Sequence, residues 1–438
     1  MKQIVIVGGG AGGLELATHL GRSLGKKGFA EITLVDANRV HLWKPLLHEV
    51  ASGSLDTGRE ALSYRAHSAE NGYYFRLGRM TTLDKKARTI TLAPWLDHHQ
   101  KEVLAERTLS YDYLVMAVGA RCNDFGMTQV REHCYTLDSA VEAEDFHQAF
   151  LNRFLQYSEQ ADALATPAAN SPPVHIAIVG AGATGVELAA ELRQAVERLE
   201  AFGLKSTHSN SLKISLIEAT QRLLPALPEH LADKARQTLV AHDIDILTNT
   251  MIKDIEANRL ITADSAIEAD MIVWAAGVKA PAFLAELDLP TNRIHQIEVD
   301  DTLRVQGEDR IFAIGDCAAL MQGQGESARP VPALAQAAHQ MAEVCARNLE
   351  AVILSRQTRS FVYEDHGALI SLSDYQTVGG LMHKLFKKPW FIEGRTAHLA
   401  YNSLYRQHQL TLHGRWKMLW ILLTAFVEKR VKPALKVY

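Results

Sequence analysis

Residues Ile176–Leu192 read IAIVGAGATGVELAAEL, and Ile4–Leu20 read IVIVGGGAGGLELATHL, so one chain carries nearly the same stretch twice. In each copy a short β-branched run meets Gly-x-Gly-x-x-Gly, first as Gly8, Gly10 and Gly13 and then as Gly180, Gly182 and Gly185, and an amphipathic helix follows. Ala11 and Gly12 complete the first loop and Thr184 the second. A lone glycine fingerprint is weak; one that follows a strand and opens a helix needs its glycines for a tight turn, close approach to a pyrophosphate and close helix-strand packing. The free N–H groups and dipole of the helix then receive the phosphates. A pair of purely structural turns is the plainer alternative, and the repeated context speaks against it. Two dinucleotides in one chain imply electrons handed from one to the other.

The acid that ends the second strand of such a unit is present both times, as Asp36 in EITLVDA and Glu218 in KISLIEA. Each is expected to hold the ribose hydroxyls of its adenosine. Asp36 lies near the usual spacing of about 20 residues after its loop, whereas Glu218 lies farther on, beyond a longer helix and the polar loop Gly203–Ser211. A carboxylate there repels a 2′-phosphate, which favours NADH over NADPH at the second site; Arg222 close by keeps the other cofactor open. The repetition continues in YDYLVMAVGA (Tyr111–Ala120) and ADMIVWAAGV (Ala269–Val278), each expected to close its own Rossmann unit. Gly119 and Gly277 in their turns would let backbone pass close to a cofactor.

Composition agrees. With 438 residues, the length prior gives roughly three units, and 47% hydrophobic residues suffice for buried cores. A formal net charge of −4 offers no general field for nucleic acid. Four cysteines, Cys122, Cys134, Cys317 and Cys345, are too few and scattered for a disulfide framework, and a reduced, cytosolic setting is expected. The opening MKQIVIVGGGAGG reads as a first strand rather than a signal peptide. No apolar run approaches the roughly 20 residues of a membrane-spanning helix.

The chain divides into residues 1–118 as the first part of one nucleotide domain, 119–285 as the second nucleotide domain, 286–354 as a return to the first, and 355–438 as a carboxy-terminal region. Strands are expected from Tyr73 to Leu109, and LATPAANSPP (Leu164–Pro173) reads as a linker. The return rests on RIFAIGDCA (Arg310–Ala318), another buried strand ending in Gly315 and Asp316. Asp316 could simply cap a helix, worth about 1 kcal/mol. In flavoproteins built from two such units this Gly-Asp holds a ribityl hydroxyl, which makes FAD the expected occupant of the first site and NADH that of the second.

The acceptor is narrowed by what is missing. Disulfide reductases of this type place a reactive cysteine pair soon after the FAD loop, where this chain has VHLWKPLLHEV (Val40–Val50) and no cysteine occurs before Cys122. Nor does any Cys or His-carboxylate set have metal-ligand spacing, so no metal site is expected. Two segments point instead to a lipid-soluble acceptor. PALAQAAHQMAEVCARNL (Pro332–Leu349) reads as a helix with Pro332 at its start, Ala333 beside it, and Gln336 and Gln340 on one face. Such a pair is commonly a solvated stripe, but its place shortly after Asp316 aims the helix start at the flavin, where amides could bond a quinone carbonyl. The tail LYRQHQLTLHGRWKMLWILLTAFVEKRVKPALKVY (Leu404–Tyr438) sets Arg406, Arg415, Lys417, Lys429, Arg430, Lys432 and Lys436 against the single acid Glu428. Its apolar stretch MLWILLTAFV would be roughly 15 Å long as a helix, too short to span a bilayer. Basic flanks with Trp416, Trp420 and Phe426 fit a helix lying in an anionic membrane surface; a buried core or dimer helix is the alternative.

Together these residues resemble the type II, single-subunit, non-pumping NADH:quinone oxidoreductases over nearly the whole chain. Ala335-Gln336-Ala337-Ala338-His339-Gln340 is similar to that family's Ala-Gln-x-Ala-x-Gln quinone motif, and Pro45-Leu46-Leu47, Thr184–Leu188, Gly315–Ala318 and the basic aromatic tail also resemble its members. The resemblance implies an α/β chain of two Rossmann-type dinucleotide-binding domains, the two-dinucleotide-binding flavoprotein fold, with a membrane-associating carboxy-terminal region. It implies FAD and NADH as cofactors and the membrane quinone pool, ubiquinone or menaquinone, as partner near Gln336 and Gln340. The enzyme would be peripheral on the cytoplasmic face of the inner membrane, and homodimers are common in the family. Glu187 corresponds to a glutamate near nicotinamide and flavin that relays protons or orients the nicotinamide; favouring the helix start electrostatically is its plainer role. Lys44 lies within reach of the flavin in the same reading, with a solvated lysine as the alternative. Cys317 reads as a packed residue rather than a redox thiol. A sulfide:quinone oxidoreductase using Cys122 and Cys134, a soluble NADH-dependent reductase of a small electron carrier, and a non-enzymatic NADH-sensing flavoprotein remain as alternatives.

Overall fold

The computed structural model describes residues 1–163, 172–199, 204, 207–323, 325, 328–372, 376–383, 386–393 and 395–431. Its first sheet is fully parallel, with strands in the order Ile311–Ala313, Tyr113–Met116, Lys2–Val7, Ala30–Asp36 and Tyr74–Leu77. A parallel sheet is covered on both faces, so its strands read as continuous apolar runs rather than alternating ones. The IVIV, ITLV and LVM stretches do this, with Ile4, Ile6, Leu34, Leu114 and Val115 fully buried. The strand Ile311–Ala313 pairs outside Tyr113–Met116, so the returning chain, not YDYLVMAVGA, closes this sheet. The pairing holds because both faces of Ile311–Ala313 are apolar and buried.

The second parallel sheet runs Ile244–Leu247, Leu212–Ile217, Val174–Val179 and Met271–Trp274, and here ADMIVWAAGV does supply an edge. Between Tyr74–Leu77 and Tyr113–Met116 the chain makes the expected excursion, an antiparallel sheet of Met80–Asp84, Thr89–Leu92 and Arg107–Ser110. Part of the linker expected at Leu164–Pro173, residues 164–171, lies outside the described residues.

Five helices carry or flank the nucleotide loops and the carboxy-terminal region: α1 (Ala11–Leu20), α2 (Leu47–Ser52), α3 (Ala183–Leu199), α4 (Ala335–Ile353) and α5 (Arg395–Val431). α1 and α3 follow the two glycine loops. α4 starts at Ala335, not Pro332, because Leu334 is extended and the first helical bond runs from the Ala338 N–H to the Leu334 carbonyl. α5 is two helices joined at Gly414, whose φ of 75° breaks the helical path. That break leaves carbonyls without partners at the end of the first half. Arg22 donates to the carbonyls of Thr411 and Leu412, and His67 Nε2 also bonds that of Leu412.

Candidate functional site

Both glycine loops leave the carboxyl end of a central strand beside the strand on which the sheet order reverses, the usual ligand crevice of open α/β sheets. Gly8 has φ +106°, and a Cβ there would lie 2.2 Å from the Ala117 carbonyl oxygen; Gly180 repeats this with φ +108° and 2.7 Å to Ala275. The third glycines pack as the fingerprint demands, since a Cβ on Gly13 or Gly185 would sit 1.9 or 2.0 Å from the carbonyl oxygen of the first glycine in its loop. In contrast, a Cβ on Gly10, Gly182 or Gly119 would meet nothing within 4 Å. Gly10 and Gly182 border the first turn of α1 and of α3 and fit a pyrophosphate above each helix start, whereas Gly119 follows the strand Tyr113–Met116. Gly12 packs under α4, where a Cβ would lie 3.0 Å from the Ala338 carbonyl oxygen. Gly277, with φ +65°, faces Phe125.

The two strand-end acids do the same thing in both halves. Asp36 accepts from the Gly9 N–H at 2.6 Å, and Glu218 accepts from the Ala181 N–H at 3.0 Å. Each clamps the middle of its Gly-x-Gly turn and faces the place where an adenosine ribose would lie. Burial pushes the Asp36 carboxyl above its ordinary range, against hydrogen bonds from Gly9 and Asn38 that lower it. Arg222 is spent on the carbonyls of Pro225 and Leu227.

Asp316 follows the turn at Gly315, where φ is +70° and a Cβ would meet the Ala338 side chain at 3.3 Å. Burial raises the Asp316 carboxyl above its ordinary range, against the opposing charge of Lys44; among the described residues that carboxylate accepts no hydrogen bond. A half-buried acceptor without a donor fits a ribityl hydroxyl and thus the flavin expected here. Lys44 itself is half exposed, donating to the Ala120 carbonyl at 2.8 Å and to Asp138 at 3.1 Å.

The short segment from Lys44 through α2 joins the two halves. One turn beyond Lys44, His48 Nδ1 lies 3.7 Å from Glu187 of α3, and at the end of α2 Ser52 faces Glu191. Glu187 is 6% exposed and accepts from the Ser371 N–H at 3.1 Å. Burial drives the His48 pKa down to about 4, outweighing its backbone bond to Pro45, so the ring is neutral at pH 7 and its contact with Glu187 is not an ion pair. Its Nε2 is buried without a partner among the described residues, a second orphaned polar atom between the two nucleotide sites. His48 escaped the sequence reading because a lone histidine in an apolar helix carries no pattern.

Gln336 and Gln340 share one face of α4 as expected, but both are engaged. Gln340 donates to the Glu364 carbonyl and accepts from its N–H; Gln336 bonds the Gly367 carbonyl and the His366 N–H. They buckle the loop before the strand Gly367–Leu372 onto α4. Ala333 lies just ahead of the helix. The four cysteines are free, and Cys317 is fully buried, its thiol pushed by burial up to about 12. Cys122 and Cys134 pack with the second sheet, beside Trp274, rather than against α2.

Fold and site together define a class, the pyridine nucleotide-disulphide oxidoreductases, whose family model matches residues 2–342. A type II NADH:quinone oxidoreductase of Haemophilus influenzae is 44% identical over 447 aligned positions that cover 100% of both chains. One of Staphylococcus aureus is 27% identical, covering 90% of this chain and 92% of its own. The chain belongs to the type II NADH:quinone oxidoreductases. Among solved structures, the NDH2 of Plasmodium falciparum in complex with NADH superposes with a TM-score of 0.80 at 21% identity, covering 99% of this chain and 100% of that one. The sulfide:quinone oxidoreductase of Aquifex aeolicus reaches 0.71 at 17%, covering 99% and 96%, so the fold alone does not choose between donors.

Proposed function

We propose that this chain oxidises NADH and passes the electrons through FAD to a membrane quinone, ubiquinone or menaquinone, without moving protons across the bilayer. The observation that carries this reading is the segment from Lys44 to Ser52, whose Lys44 acts on Asp316 through its charge, whose His48 and Ser52 meet Glu187 and Glu191, and which contains no thiol. FAD supplies the redox chemistry when bound, taking a hydride from NADH and giving two electrons to quinone. The protein's part is to hold the reacting rings together, exclude water and place protons.

In this reading residues 1–118 and 286–354 bind FAD, through Gly8, Gly10, Ala11, Gly12, Gly13, Asp36, Lys44, Gly119, Asp316 and Ala333. Residues 119–285 bind NADH, through Gly180, Gly182, Thr184, Gly185, Glu218 and Gly277. The Glu218 carboxylate stands where a 2′-phosphate would go, which favours NADH. Glu187, buried between α2 and the Ser371 backbone, holds the nicotinamide side and exchanges a proton there.

Residues 355–438 bring the enzyme to an anionic membrane surface on the cytoplasmic side. Among the described residues no helix is long and apolar enough to cross a membrane. The second half of α5 instead exposes Trp416, Leu419, Trp420 and Leu423, spaced three and four apart on one face and between 49% and 83% exposed. Such a stripe lies in the headgroup region and leads quinone toward Gln336 and Gln340, which would exchange their loop partners for its carbonyls. Steady-state assays with one donor and three acceptors, a quinone, a disulfide and a ferredoxin-type carrier, beside a control without acceptor, test the reading. Quinone alone is expected to support turnover, and turnover with the disulfide or the carrier instead would refute it.

A further inference from the structure

The repeat that decides the fold places an acid at the same point of both copies, since Glu15 and Glu187 each stand two residues after the third glycine. Glu15 is 4% exposed, and its carboxylate is shared by two histidines from distant parts of the chain. His339 Nδ1 of α4 lies 2.5 Å from Oε2, and His408 Nδ1 of α5 lies 2.5 Å from Oε1. On its other side His408 Nε2 is 3.0 Å from His41 Nε2, and His41 Nδ1 is 2.9 Å from the Gly9 carbonyl oxygen. The Tyr64 hydroxyl donates to that same carbonyl at 2.7 Å.

A carbonyl cannot donate, so His41 Nδ1 donates to Gly9, and a carboxylate cannot donate, so the Nδ1 groups of His339 and His408 donate to Glu15. Burial, with the nearby His408, pushes the His41 pKa down to about 3. The His408 side chain is 2% exposed and that of Glu15 4%. A buried carboxylate of this kind is tolerated only against its donors, and removing one partner costs far more than the pair contributes.

We propose that Glu15 is a positioning residue for quinone reduction: through His408 and His339 it locks the membrane-facing helix α5 and the glutamine helix α4 onto the loop that holds FAD. This rests on the reading that quinone arrives along α5 and meets Gln336 and Gln340. The kink at Gly414 lies just beyond His408 and is held by Arg22 and His67, so the buried pair sets the direction of the Trp416–Leu423 stripe relative to α4. Propensity along α5 cannot do this, because the helix is broken between lock and stripe.

A pH dependence follows from the groups that face Glu15: His339, with Glu343 behind it, on α4; His408 on α5; and His41, which also faces His67. Burial alone would raise the Glu15 carboxyl, but bonds from His339 and His408 outweigh it and hold it below its ordinary 4.5. The bond to Glu15 holds His339 above its ordinary 6.5. A group held low stabilises the lock above its ordinary value and loses this as pH falls through the lowered one. A group held high stabilises it below its ordinary value and loses this as pH rises through the raised one. The lock is therefore at full strength between pH 4.5 and 6.5, loosening below as Glu15 takes up a proton and above as His339 loses one.

The test uses full-length holoenzyme on vesicles containing phosphatidylglycerol. Glu15→Gln is expected to raise KM for a long-tailed quinone about tenfold and to speed tryptic cleavage within α5, while FAD content and NADH-driven ferricyanide reduction stay within about twofold. The double variant Glu15→Gln, His408→Gln also removes the donor left without its carboxylate and should recover much of the lost KM. An unchanged KM in Glu15→Gln, or a double variant that is worse than both singles together, overturns the proposal. If Glu15→Gln does not retain FAD, His408→Gln takes its place, and an unchanged quinone KM there overturns it equally. Gln336→Ala measured alongside separates the two claims: no effect there sinks the quinone path itself, whereas an effect there with none at Glu15 sinks only the lock.

Discussion

Gly13 and Gly185 leave less room than any other fingerprint positions, because the atom that a Cβ would strike is the carbonyl of the loop's own first glycine. Backbone cannot swing away as a side chain can, so Gly13→Ala should weaken FAD binding about tenfold or more, read as flavin lost on desalting. Gly185→Ala should instead raise the KM for NADH by a similar factor with FAD content intact. The reverse pattern would mean the two loops have been assigned to the wrong nucleotides. At Glu187 the expectation is a loss in kcat of about 10²-fold on change to Gln, with little change in the KM for NADH. A KM effect alone would make Glu187 a binding residue. The glycines and strand-end acids were readable because each acts within some forty residues of its partner, on a pattern set by the local turn. Glu15 and His408 were not, because their contact joins residues 393 positions apart, and nothing near either one announces the other.

Among elements, α5 decides how the enzyme meets its acceptor. The apolar stretch and its basic flanks were legible as composition, but the break at Gly414 was not, since a glycine inside a helical pattern is usually tolerated. Nor was the start of α4, where Pro332 suggested a first turn that the extended Leu334 postpones to Ala335. Replacing Trp416 and Trp420 together with Ser should weaken binding to anionic vesicles at least about tenfold, since each buried aromatic contributes about 1.5–3 kcal/mol. Each nearby basic residue adds only about 1 kcal/mol and is screened by salt. Binding that survives the double substitution but vanishes in salt would make the attachment electrostatic and leave the stripe without a role.

Across the whole molecule the thiols are spectators. Burial raises the Cys122 and Cys134 thiols to about 12, as it does Cys317, and raises Cys345 further still, so at pH 7 only about one in 10⁵ would be ionised and nucleophilic. A variant with Cys122, Cys134 and Cys317 changed to Ala should turn over NADH with quinone within about twofold of the parent. Loss of turnover with FAD retained would restore a thiol relay. The two sheets and the return of the chain to the first were foreshadowed by repeated strand-glycine patterns, because a parallel sheet writes its burial into unbroken apolar runs, but the strand order was not, since Ile311–Ala313 rather than YDYLVMAVGA closes the first sheet. The choice of acceptor was legible in the glutamine pair of Pro332–Leu349, in the basic aromatic tail and in the absence of cysteine beside the flavin, and the folded chain gives that absence a place, between Lys44 and Ser52. Anaerobic stopped-flow mixing tests the central claim most directly: the flavin is bleached by NADH, and then a quinone is added. Rapid bleaching followed by full return of colour with quinone alone is the predicted result. A flavin that bleaches but waits for a disulfide or a protein carrier, or one that NADH does not bleach at all, would contradict it.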